Sequence, residues 1–129
     1  MSKLPGVARL EHVGINVARA KWADLIAFYE NVFGWHIIRR QGDTIVFIGD
    51  GEGGRMELIA NDVDPLPVPH HVAFVLPLDQ IEAAEAALKA NGATCNPIQS
   101  TPAGDKLLFF HDPAGNYMQI VARAKAMEL

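Results

Sequence analysis

Apolar and polar positions alternate over residues 8–17, with Leu10, His12, Gly14 and Asn16 on one face and Val13, Ile15 and Val17 on the other. A period of two predicts a half-buried strand, with His12 on its less apolar face. Over residues 21–33 the apolar side chains Trp22, Leu25, Ile26, Tyr29, Val32 and Phe33 recur at helical spacing, and Gly34 supplies a stop. That pattern predicts an amphipathic helix. Three apolar runs follow, 35–39, 44–48 and 55–60, divided by Gly42-Asp43 and by the glycines between positions 49 and 54. They read as a three-strand meander, so the first module is βαβββ, about residues 8–61.

Pro65, Pro67 and Pro69 then remove backbone donors and favour an extended connector. Beyond it the order repeats. A strand is expected over 70–76, and a helix over 78–90 with Ile81, Ala84 and Leu88 on one face and Asn91-Gly92 at its end. Strands are expected near 93–98, 106–111 and 116–122. Asp112-Pro113-Ala114-Gly115 is a strong turn signal. Residues 123–129 have helical propensity with little to bury. The expected fold class is α+β, one domain over residues 1–129, with the second module at about 69–123.

The repeat extends to individual residues. Leu10-Glu11-His12-Val13-Gly14-Ile15-Asn16-Val17 is echoed by Pro69-His70-His71-Val72-Ala73-Phe74-Val75-Leu76, an offset of 59 from His12 to His71. Arg55-Met56-Glu57-Leu58-Ile59-Ala60 is echoed by Tyr117-Met118-Gln119-Ile120-Val121-Ala122, an offset of 62 from Glu57 to Gln119. One supersecondary unit is used twice, and the matched residue types can ligate a metal. If the modules pack with pseudo-twofold symmetry, their first and last strands line one cleft and these four side chains converge. Val13, Ile15 and Val17, like Val72, Phe74 and Leu76, form an apolar set suited to lie beneath a helix, which turns His12 and His71 to the opposite face. Parity sends the rival ligand His70 to the helix side. Two imidazoles, a carboxylate and an amide oxygen suit one divalent ion, Ni²⁺, Zn²⁺, Co²⁺, Fe²⁺ or Mn²⁺. The plainer alternative is a pair of pocket histidines with no metal.

With Phe28-Tyr29-Glu30-Asn31-Val32-Phe33-Gly34-Trp35 at the end of the first helix, His71-Val72-Ala73-Phe74, and Asp112-Pro113-Ala114-Gly115-Asn116 before the last strand, the chain resembles the vicinal oxygen chelate superfamily. This is the group of glyoxalases, bleomycin-resistance proteins and extradiol dioxygenases. The resemblance spans nearly the whole chain. It implies two βαβββ modules forming a cup-shaped mixed sheet with helices outside, commonly a homodimer, and metal ligands at His12, Glu57, His71 and Gln119. Gln119 departs from the pattern, since metal-dependent members usually end the second module with Glu. An amide cannot accept a proton from carbon, so Glu57 is left as the sole candidate base.

Composition narrows the partners. Half of the 129 residues are hydrophobic and 20% are charged, as in an ordinary globular protein. A net charge of −4, with eleven Lys and Arg scattered along the chain, gives no footprint for nucleic acid, and no apolar run approaches membrane-helix length. The single cysteine, Cys95, makes no intramolecular disulfide and reads as a small buried residue rather than a nucleophile. Glu11 and Asn16 interrupt any N-terminal apolar stretch, so the expected location is a reducing cytoplasm. Gly49-Asp50-Gly51-Glu52-Gly53-Gly54 satisfies a G-x-G-x-x-G pattern but leads into a strand, and reads as a hairpin rather than a phosphate loop. His111 and Trp35 are further candidates for the substrate pocket.

The expected function is therefore a metal-dependent, glyoxalase-like lyase or isomerase acting on a small oxygenated metabolite. Two alternatives stand beside it. An extradiol Fe(II) dioxygenase would use His12, His71 and Glu57 as a two-His-one-carboxylate site. A non-catalytic protein would sequester a drug or metabolite in the cup.

Overall fold

In the computed structural model, which describes residues 5–6, 10–63 and 71–126, the first module runs β1 (Val13–Ala18), α1 (Arg19–Asn31), β2 (His36–Gln41), β3 (Ile45–Gly49) and β4 (Arg55–Asn61). Residues 65–69 of the proline segment and His70 lie outside the described residues. The second module comprises β5 (Val72–Val75), a 3-10 turn (Leu78–Gln80), α2 (Ile81–Ala90), β6 (Thr94–Cys95), β7 (Gln99–Ser100), β8 (Lys106–His111) and β9 (Tyr117–Ala122).

The order of elements follows the apolar pattern, and the differences have local causes. α1 begins two residues before the expected start and has no side-chain cap. Its first turn is held instead by Arg19, whose Nε donates to Asp62 Oδ1 at 2.8 Å and whose Nη1 donates to the Asp43 carbonyl at 3.1 Å. Three residues beyond its end, Gly34 has a φ of 73° that needs glycine and lets Trp35 N–H return to the Tyr29 carbonyl. The strand expected near 93–98 is broken into β6 and β7, because Pro97 between them has no N–H for the ladder. In the 49–54 hairpin, Asp50 Oδ1 accepts the amides of Glu52 and Gly54 at 2.7 and 2.9 Å. Donors that a phosphate loop would present are already taken there. Residues 123–126 form no helix.

The strands make two separate sheets, β1-β4-β3-β2 and β5-β9-β8-β6, with β7 also paired to β8. In each sheet the first and last long strands are parallel and the rest antiparallel, so both sheets are mixed. The two mixed sheets with helices outside match the expected α+β fold of paired βαβββ modules, and among the described residues β1 and β5 each stand at a sheet edge. What joins the modules is α1 and the segment after it. Phe33 and Trp35 pack on Phe74 with ring centroids 4.7 and 5.5 Å apart, and Tyr29 lies 6.0 Å from the same ring. The fully buried Tyr29 donates its hydroxyl to Asp112 Oδ2 at 2.9 Å. One apolar core therefore runs between the sheets on their helix-covered faces, with Phe110, Leu108 and Met118 from one side and Leu25, Leu58 and Ile48 from the other.

Candidate metal centre

Because helix-facing positions alternate with outward ones, the register fixes what shares the outer face of the first sheet. Glu57 lies beside Gly14 on β1 and opposite Phe47 on β3. His12 sits one residue before β1 rather than on it, and its ring reaches over the same face, edge-on to Phe47 at 5.2 Å. Its Nδ1 lies 2.9 Å from Glu11 Oε1, and its Nε2 is turned toward Glu57 Oε1, 3.8 Å away. Both groups keep access to solvent, at 32% and 19% side-chain exposure. A Cβ on Gly14 would stand 3.3 Å from Glu57 Oε1, so the missing side chain makes room for the carboxylate.

The second sheet repeats this arrangement. Gln119 lies beside Ala73 and opposite Phe109, and His71, one residue before β5, is edge-on to Phe109 at 5.4 Å. The two His–Phe pairs have interplanar angles of 84° and 81°. Gln119 is 8% exposed, deeper than its counterpart Glu57. His111 stacks on Tyr117 with centroids 5.0 Å apart, and Tyr117 also neighbours His71 and Phe109. Phe47 and Phe109 are the residues that the sequence reading missed. They are separated by 62 positions, the same offset as Glu57 and Gln119, and that shared offset was the available signal.

One chain thus pairs His12 with Glu57 and sets His71 near Gln119 on the other sheet. Among the described residues no three His, Cys, Asp or Glu side chains gather at one point. A cavity of about 450 Å³ lies between the modules, lined by Trp35, Phe33, Phe74 and Leu88 with Glu11 and His12 at its polar edge. Trp35 faces it, whereas Glu57, His71, His111 and Gln119 do not. Cys95 is half-buried with its thiol pushed up by burial, the setting of a packing residue. Among the described residues no helix is long and apolar enough to cross a membrane.

The donor set suits a divalent metal. The Glu11–His12 contact is the carboxylate–imidazole pairing that orients a metal-ligating histidine, and the gap between His12 Nε2 and Glu57 Oε1 is one that an ion at ~2.0–2.2 Å from each atom would bridge after a small adjustment. Residues 9–120 match the family described as the Glyoxalase/Bleomycin resistance protein/Dioxygenase superfamily. The chain belongs to that superfamily. No curated protein matches it in sequence. Among solved structures of similar fold is the genomically encoded fosfomycin resistance protein FosX of Listeria monocytogenes, complexed with Mn(II) and sulfate. It has a TM-score of 0.77 and 18% identity over 92% of this chain and 93% of that one. A superfamily enzyme from Burkholderia phytofirmans PsJN has a TM-score of 0.77 and 19% identity over 89% and 98% of the two chains. A glyoxalase family protein from Enterococcus faecalis has a TM-score of 0.70 and 22% identity over 88% and 96%. At these identities the likeness is one of fold, and within the superfamily the site must be argued from this chain's own side chains.

Proposed function

We propose that this protein is a metal-dependent lyase or isomerase that binds a small oxygenated metabolite, its divalent ion held by His12 and Glu57 of one copy and by His71 and Gln119 of a second. The observation that carries this reading is the His12–Glu57 pair, with Nδ1 committed to Glu11 and Nε2 turned to the carboxylate across 3.8 Å. The edge strands β1 and β5, each preceded by a His and paired with the strand that bears Glu57 or Gln119, support completion by a second copy. The Mn(II) bound by FosX supports a divalent ion.

The ion would supply Lewis acidity toward adjacent substrate oxygens. Glu57 is the group able to take a proton from carbon beside a carbonyl, because the Gln119 amide cannot. Glu11 orients the His12 ring, and Phe47 and Phe109 flank the two halves with apolar edges. Metal analysis of protein purified without added metal tests the reading, together with oxygen uptake by the iron-loaded form. One divalent ion per pair of half-sites and no oxygen uptake with catechols are expected. Uptake of O₂ would move the assignment to an extradiol dioxygenase.

A second reading rests on the cavity between the modules, whose volume is in the range of small-molecule pockets. A binder that sequesters an apolar ligand there would keep its affinity after the metal is stripped with a chelator, and would show no turnover in any metal form.

A further inference from the structure

The outer face of the first sheet carries a cation in line with Glu57. Reading across the strands, Gly14, Glu57, Phe47 and Arg39 form one row, because Gly14 pairs with Glu57, Glu57 with Phe47 and Phe47 with Arg39. Residues directly opposite in a sheet share a face, and Phe47 is known to lie on the His12 face from its edge contact with that ring. A register shift between Ile37 and Arg39 brings Arg39 into this row, a use of a β-bulge to re-aim a side chain. Its neighbour Arg40 pairs with the fully buried Val46 and so belongs to the opposite face.

Arg39 is exposed, and among the described residues it forms neither an ion pair nor a side-chain hydrogen bond. The other arginine on this face, Arg55, is engaged at the His12 end, where Nη1 donates to the Glu11 carbonyl at 3.2 Å. Arg39 therefore offers an uncommitted guanidinium on the same sheet face as Glu57, with Phe47 between them. We propose that Arg39 is a specificity residue that receives the carboxylate of a short anionic substrate lying across Phe47, with the substrate's other oxygens toward the Glu57 end. The inference rests on the reading of this face as the binding face. Arg39 and Glu57 stand two strands apart, roughly 10 Å between backbones, a span that two side chains and a small diacid between them can bridge. A planar guanidinium can hold a carboxylate through two parallel hydrogen bonds, which fixes orientation as well as charge.

Succinate is the probe, with succinamide as its uncharged counterpart, titrated calorimetrically into chelator-treated and Zn²⁺-loaded protein. Arg39→Gln should weaken succinate binding by about tenfold or more, as expected for loss of a charged hydrogen-bonded pair. Arg39→Lys should recover part of that loss, and Arg40→Gln, the same charge change on the opposite face, should alter binding by no more than about twofold. Equal losses in Arg39→Gln and Arg40→Gln, succinamide binding as tightly as succinate, or no succinate binding at all would each overturn the proposal. Inorganic phosphate binding more tightly than succinate at Arg39 would overturn the carboxylate assignment. The two readings fail separately. Arg39-dependent succinate binding in a protein that takes up no metal removes the metal centre and keeps this inference, and metal uptake with succinate binding indifferent to Arg39 does the reverse.

Discussion

At Gly14 the missing side chain leaves the Glu57 carboxylate its place beside β1. Gly14→Ala should therefore press on Oε1 and weaken divalent metal binding while the thermal midpoint moves by only a few degrees; titration calorimetry and a melting curve on one sample separate the two effects. Exchanging the acidic and neutral ends of the repeat gives a second expectation. Glu57→Gln should lower metal affinity by at least about tenfold and abolish proton transfer, and Gln119→Glu should raise affinity by adding a carboxylate. Equal affinity in wild type and both variants would count against ligation by either residue. A third concerns Asp112, which burial pushes above the usual aspartate range despite hydrogen bonds from Asn116, Tyr29 and Ala114 that pull it down. A carboxyl raised in the folded chain binds more protons folded than unfolded. Its contribution to stability is then fully present below the unfolded value of ~3.9 and is lost as pH rises through the raised folded value. The unfolding free energy of wild type relative to Asp112→Asn should decline from acid toward neutral pH, and a flat difference would reject this. The paired His and Glu/Gln positions were legible in the sequence because the repeat marks them. The Tyr29–Asp112 bond, between residues 83 positions apart, was not, since no periodicity relates a helix to a distant turn.

Among the elements, α1, β3 and β4 follow the apolar spacing closely, because their buried faces are continuous. β6 and β7 do not, because Pro97 interrupts a ladder that composition alone suggested was one strand. The histidines were expected on strands and stand just before them, where backbone pairing no longer dictates the direction of a side chain. α1 and the segment after it have a role that the amphipathic pattern did not disclose: the aromatics at the helix end and just beyond it serve two sheets. Phe33 and Phe74 meet at a centroid distance of 4.7 Å, and a double-mutant cycle to alanine should give a coupling of about 0.5–1.5 kcal/mol, the usual range for an aromatic pair. Additivity in that cycle would mean that the modules are held together elsewhere.

For the whole molecule, the sequence conveyed two modules but not which of their faces meet. The apolar residues of α1 fit either neighbour equally well on paper, and only the aromatic packing on Phe74 settles that the helix-covered faces join. The faces that carry His12 with Glu57 and His71 with Gln119 are left apart, with β1 and β5 at sheet edges among the described residues. Sedimentation at micromolar concentration should return about twice the 14.0 kDa chain mass; a species of chain mass would reject the dimer. The separation of His12 and His71 onto different sheets has a further consequence, which belongs to genetics as much as to chemistry. On the proposed pairing, a His12→Ala chain and a His71→Ala chain are each inactive alone, yet a dimer of one with the other contains one site built wholly from unaltered halves. Unfolding and refolding the two variants together should restore about a quarter of wild-type activity, because half of randomly formed dimers are mixed and one of two sites in each is intact. Two inactive alleles of this gene would then complement each other in the same cell.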